Sequence, residues 1–163
     1  MENIPSIIQA LLLDNILNTN DVIAVFGPDD TILFSNKTFA SLYNAQVSEI
    51  NSTKWADCVK KSYEDKKGLK YDTDDIDQWI VTANKERRTQ RQRTFEICTI
   101  EDRWFLCNET TNDQGYIVFH GIENTHSKQL EIALKNSSIK LKLLASTDSL
   151  TNLYNRRYFF MRL

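Results

Sequence analysis

The alternation of strand-like and helix-like runs predicts an α+β fold: a five-stranded antiparallel sheet with helices on one face, an N-terminal helix before it and a long C-terminal helix after it. Three observations carry this expectation. Two β-rich runs within residues 22–34 are joined by Gly27-Pro28-Asp29-Asp30, a stretch of turn-forming residues. Three more β-rich runs fill residues 94–122, separated by Glu101-Asp102 and by Asn112-Asp113-Gln114-Gly115. Between the two groups, apolar residues recur at helical spacing.

Residues 4–18 place Ile7, Ile8, Leu11, Leu12, Ile16 and Leu17 on an unusually wide helical face, which predicts burial against the domain or another chain. A hairpin follows, with strands at 22–26 and 31–34. Residues 36–43 turn helical and put Phe39, Leu42 and Tyr43 on one side. Trp55, Cys58, Val59, Ser62 and Tyr63 form the next stripe, and Gly68 breaks the chain. Thr73, Asp74 and Asp75 supply cap-type residues and negative charge where a helix begins. Ile76, Trp79, Ile80 and Ala83 then follow at i, i+3, i+4 and i+7. The basic stretch 85–93 suits the C-terminal end of that helix dipole. Strands are expected at 94–100, 103–109 and 116–122, as an antiparallel meander. Residues 124–147 complete the pattern, with Leu130, Leu134, Ser137, Leu141 and Leu144 in a short heptad seam that has one polar defect, Ser137.

The bulk properties narrow the function classes. With 163 residues, the chain holds one core-bearing domain plus appendages. Its 41% hydrophobic and 26% charged content is that of a globular protein, and four Gly with two Pro argue against a long disordered linker. A net charge of −2 gives no footprint for a nucleic acid. Cys58, Cys98 and Cys107 lack metal-ligand spacing and read as reduced core or strand thiols. The apolar run 7–13 is broken by Gln9 and stopped by Asp14, unlike a signal peptide. No segment reaches the roughly 18 apolar residues of a membrane span, so the expected localisation is cytoplasmic.

The last residues carry a resemblance. Asp148, Leu150, Thr151, Leu153, Asn155, Arg156, Arg157 and Phe159 match the pattern Asp-x-Leu-Thr-Gly-Leu-x-Asn-Arg-Arg-x-Phe that opens a GGDEF (diguanylate cyclase) domain, with Asn152 in place of the usual Gly. Upstream, Asp29-Asp30-Thr31-Ile32-Leu33-Phe34-Ser35-Asn36 is similar to the first hairpin of a PAS domain. Residues 121–131 are similar to the PAS exit Asp-Ile-Thr-x-x-Lys-x-x-Glu, with Glu123 for Asp, Asn124 for Ile and Thr125 keeping the Thr. The implied layout is an N-terminal helix at 1–19, a PAS sensory domain at 20–123, a signalling helix at 124–147 and the start of a GGDEF domain at 148–163.

By this resemblance the chain is a sensing and dimerising module of a sensor cyclase that condenses two GTP into cyclic di-GMP. The chemistry of such a cyclase is the positioning of a 3′-hydroxyl in line with an α-phosphate, helped by metal. The residues that bind Mg and GTP belong to the part of a GGDEF domain after its opening. The chain itself is therefore expected to be inactive and no catalytic residue is assigned, while the longer protein would be the active cyclase. Leu130, Leu134, Leu141, Leu144, Asp148, Asn155 and Arg156 are assigned to signal transmission. A parallel homodimer is expected, because two cyclase domains must face each other. The alternative role is a ligand-free dimerisation scaffold.

A PAS core often holds a small ligand between sheet and helices. Trp55, Trp79, Arg88, Glu96, Asn108 and Glu109 are the candidates to line such a pocket; otherwise the tryptophans pack the core and the charged groups pair at the surface. No metal or haem is expected. His120 falls on a strand and His126 at the start of the last helix, where structural roles fit better than ligation. Lys85, Arg87, Arg88, Arg91 and Arg93 are read as a solvated helix end. Asp72, Asp74, Asp75 and Asp77 lack the Gly and the terminal Glu of an EF-hand loop and are read as helix capping.

Overall fold

The computed structural model describes residues 4–146, with side chains up to residue 142. The side chain of Leu144 and all of Asp148, Asn155 and Arg156, with the GGDEF-like segment, lie outside the described residues. The chain forms two units, Met1–Asn124 and Thr125–Leu163.

In the first unit, helix α1 (Ser6–Asn18) precedes β1 (Val22–Phe26) and β2 (Ile32–Ser35). Four helices follow: α2 (Lys37–Leu42), α3 (Val47–Ile50), α4 (Trp55–Asp65) and α5 (Ile76–Glu86). The chain then returns to the sheet as β3 (Gln92–Cys98), β4 (Trp104–Thr111) and β5 (Ile117–Glu123). The sheet order is β2-β1-β5-β4-β3 with every neighbouring pair antiparallel, so the first hairpin closes against the last strand of the meander. The predicted α+β class and strand count hold.

One sheet face is sealed by helices. Val22, Ala24 and Phe26 of β1, Phe105 and Cys107 of β4, and Ile117 and Phe119 of β5 are buried. They meet Phe39 and Leu42 of α2, Val59 of α4 and Ile80 of α5 in one core. The alternation along each strand sends Leu106, Val118 and Ile122 to the other face, where they are exposed.

Local chemistry sets the joints. Asn36 is fully buried and caps α2: its Oδ1 accepts from Phe39 N at 2.9 Å and from Ile23 N at 3.2 Å. Its Nδ2 donates to Asp21 O at 2.8 Å and to Ile16 O at 3.2 Å, tying α1, β1 and α2 together. Asp75 caps α5, accepting from Gln78 N at 2.9 Å. Lys66 ends α4 in the left-handed region, and Gly68 follows at φ 79°, where a Cβ would overlap the carbonyl oxygen of Leu42.

One expectation is corrected. Strand β3 begins at Gln92, earlier than predicted, so Arg93 lies on a strand rather than beyond a helix end. Among the described residues the wide face of α1 is largely uncovered: Ile7, Ile8, Leu11, Leu12 and Leu17 are exposed and Ile16 is half-buried, which leaves burial against another chain as the open part of that expectation.

The second unit contains α6 (Thr125–Ser146). Leu130, Leu134 and Leu141 of the predicted seam are exposed, Leu134 by 73%. Ile132 and Ile139 are also exposed and, at 3.6 residues per turn, stand on the opposite side of the helix. Among the described residues no helix is long and apolar enough to cross a membrane.

Candidate ligand cavity

A cavity of about 420 Å³ lies between the inner sheet face and helices α2, α4 and α5. Its walls are mainly aromatic, including Phe39, Tyr43, Trp55, Trp79, Phe95 and Phe119. The rings meet edge-to-face or tilted: Phe39 and Phe119 lie 5.7 Å apart, and Trp55 and Trp79 lie 6.0 Å apart. Trp55 Nε1 donates to Tyr43 Oη at 3.0 Å, and burial holds the Tyr43 phenol well above its ordinary pKa.

Charge enters this apolar space at one end. Glu109 points inward from β4 with its side chain 5% exposed. Its Oε2 accepts from Arg93 Nη2 at 2.8 Å, and its Oε1 stands 3.6 Å from Arg87 Nη1. The Arg87 side chain is 2% exposed. Its guanidinium is stacked between Phe26 and Trp55, 4.5 and 4.6 Å from the two ring centroids. Arg87 Nε lies 3.2 Å from Asp30 Oδ1 but out of line for a hydrogen bond, and neither Nε nor Nη2 has a hydrogen-bond partner among the described residues. Burial pulls the Arg87 pKa below its usual value, with Glu109 and Asp30 acting the other way. The Cys107 thiol, beside Glu109 on the same inner face, is pushed up to about 12, chiefly by burial.

Trp55, Trp79, Glu96 and Glu109 line the cavity; Arg88 and Asn108 do not. Glu96 borders it from β3, and its carboxylate accepts from Asn124 Nδ2 at 3.3 Å. Asn108 sits on the outer sheet face and donates to Thr94 Oγ1 at 3.1 Å, because alternation along β4 turns it away from Cys107 and Glu109. Arg88 adopts a positive φ of 64°, which points it away from Arg87. It donates to Gly115 O at 2.9 Å, Asp30 Oδ1 at 2.9 Å and Gly27 O at 2.7 Å, joining the two turns at that end of the sheet.

The reading of the basic stretch as a solvated helix end is therefore corrected for Arg87 and Arg93. Both were findable. Ile76, Trp79 or Ile80, and Ala83 define a stripe whose next position is residue 87. Arg93, Phe95 and Ile97 share the period of two that faces the core. Elsewhere, His120 Nε2 lies 2.9 Å from Asp21 Oδ2, a pairing between β5 and the start of β1.

No family model matches this chain, and no curated protein matches it. Solved structures do. A phage VqmA–DPO complex is 12% identical, covers 80% of this chain and 59% of its own, and superposes with a TM-score of 0.50. A domain of a sensory box sensor histidine kinase/response regulator from Geobacter sulfurreducens is 11% identical, covering 74% of this chain and 96% of that one at a TM-score of 0.49. The PAS domain of an HTR-like protein from Haloarcula marismortui is 15% identical, with 72% and 93% covered at a TM-score of 0.45. At these identities the likeness is one of architecture: a five-stranded antiparallel sheet with helices packed on its inner face, which is the PAS fold.

Proposed function

We propose that this chain is a sensory module in which a small molecule held in the cavity controls cyclic di-GMP synthesis by a diguanylate cyclase domain. The observation that carries the sensory half is the cavity itself: about 420 Å³ with aromatic walls, inside a core whose other residues are closely packed. The output half rests on the likeness of residues 148–163 to the opening of a GGDEF domain, reached after α6 with a single residue, Thr147, between Ser146 and the matching Asp148.

The module works as a parallel homodimer. The exposed rows Leu130, Leu134 and Leu141 on α6, and Ile7, Leu11 and Leu12 on α1, are surfaces that a second copy would cover. A parallel pairing of α6 delivers both copies of residue 148 to the same end, as a reaction between two bound GTP molecules requires. Ser137 interrupts the seam and keeps alternative helix rotations close in energy, which a transmitted signal needs.

Two experiments test this reading. Native mass spectrometry of the purified protein should show a bound small molecule or its uptake from a metabolite panel; a persistently empty protein leaves only the scaffold role. In analytical ultracentrifugation the wild type should sediment as a dimer, and the double variant Leu134→Lys, Leu141→Lys as a folded monomer. A monomeric wild type, or a variant that dimerises equally well, would refute the α6 interface.

A further inference from the structure

Three cations and three acids gather at the charged end of the cavity: Arg87, Arg88 and Arg93 with Asp30, Glu86 and Glu109. The cluster is neutral as a whole. Arg88 donates to Asp30, and Arg93 bridges Glu86 at 3.1 Å and Glu109 at 2.8 Å. Arg87 lies between Asp30 and Glu109, 3.2 and 3.6 Å from a carboxylate oxygen of each, and its Nε and Nη2 are closed off from the cavity. Glu96, the remaining charged residue of the wall, is met by the Asn124 amide.

Glu109 is the pivot of this balance. It is a wall residue of the cavity, and each of its two oxygens faces one guanidinium, Oε2 that of Arg93 and Oε1 that of Arg87. Paired arginines are the usual means of holding a bound carboxylate. Here the protein supplies that carboxylate itself. A ligand carrying another would bring a fourth negative charge to a cluster already balanced, and a ligand cation a fourth positive one. Either charge would be desolvated beside groups engaged with one another. The rest of the lining is mostly aromatic, with Phe39, Trp55, Trp79 and Phe119 among its rings.

Building on the sensory reading, we propose that the ligand is an uncharged aromatic compound of one or two rings, and that Glu109 sets this selectivity by filling, as an internal carboxylate, the place an anionic head group would take between Arg87 and Arg93. A flat ring suits walls whose own rings meet edge-to-face or tilted. Removing the Glu109 carboxylate would free Arg87 Nη1 and Arg93 Nη2 for an acid from outside, so the preference of the cavity should turn from neutral to anionic.

The test is isothermal titration calorimetry of the purified chain with two pairs of near-equal shape, acetophenone with benzoate and 2-acetylnaphthalene with 2-naphthoate, and with benzylammonium and 2-octanone. In the wild type at least one aromatic ketone should bind about tenfold or more tightly than its carboxylate partner, a difference of about 1.4 kcal/mol, and more tightly than benzylammonium or 2-octanone. In Glu109→Ala the ketone–carboxylate ratio should fall at least about tenfold. If that variant is unstable, its unfolding temperature should rise with the carboxylate and not with the ketone; an unchanged ratio, or no such rise, overturns the role of Glu109. A wild type that takes carboxylate, ammonium or octanone as tightly as the ketone overturns the ligand class and leaves the sensory reading standing. No binding by any probe also overturns the class and, if the protein as purified holds no small molecule, the sensory reading with it.

Discussion

Glu109→Gln is the sharpest probe of the charged end of the cavity. The change keeps the shape and removes the charge. In the wild type each carboxylate oxygen serves one guanidinium: Oε2 takes Arg93 Nη2 at 2.8 Å, and Oε1 faces Arg87 Nη1 at 3.6 Å. An amide has one oxygen, so its NH₂ must confront one of the two cations. Breaking a buried ion pair costs about 3–5 kcal/mol; the surviving amide acceptor returns part of that, which leaves a loss of about 3 kcal/mol. Urea unfolding followed by tryptophan fluorescence should show the midpoint falling by about 1–3 M, given slopes of about 1–3 kcal/mol/M. In an Arg87→Met background the same substitution should cost less, because only Arg93 remains to be neutralised. A shift below about 0.3 M, the equivalent of roughly 0.5 kcal/mol, would mean that Glu109 does not hold the two arginines together.

Asn36→Ala removes all four hydrogen bonds of a fully buried side chain. The same urea assay should report a loss of about 2–4 kcal/mol, from the lost cap and the unpaired backbone groups. Alkali is the second perturbation: burial raises the pKa of Tyr43 and of Tyr71. Phenols held above their unfolded value stabilise the fold fully below about pH 10, and that contribution is lost as pH rises beyond it. An absorbance titration should therefore show two of the six tyrosines ionising only together with unfolding; smooth ionisation of all six in the folded protein would contradict their burial.

The strands and the longer helices were legible because burial on one face writes a period into the chain: Val22, Ala24 and Phe26 for β1, and Ile76, Trp79, Ile80 and Ala83 for α5. Helix α3 was not, since its four residues are too few to show a period. For the cavity, Trp55 and Trp79 were visible as large apolar residues on helical stripes, and Glu109 as an acid on a core-facing strand position. Arg87 was hidden by its neighbours. A run of basic residues reads as solvated surface, and that composition outweighed the α5 stripe, whose next position after Ala83 is the buried Arg87 and not the turn-binding Arg88. Arg88 and Asn108 fell on the wrong side for a related reason: one positive φ, or one step along a strand, reverses where a side chain points.

The three hydrogen bonds of Arg88 also bear on where this domain tolerates alteration. Surface turns are ordinarily the safest places to insert a peptide tag or a reporter domain. The turns at 27–30 and 112–115 are an exception, because the carbonyls of Gly27 and Gly115 and the carboxylate of Asp30 are all held by one side chain from a third segment. Lengthening either turn would unseat Arg88 and loosen the other turn with it. Among the described residues the turn between β3 and β4 has no comparable side-chain clasp: the Asp102 carboxylate meets Lys70 at 3.9 Å with both side chains mostly exposed, and the tie to a third segment lies at the base of the turn, where Ile100 N donates to Gly68 O at 2.9 Å. An insertion at 101–102 should leave the domain soluble and folded where the same insertion at 113–114 does not.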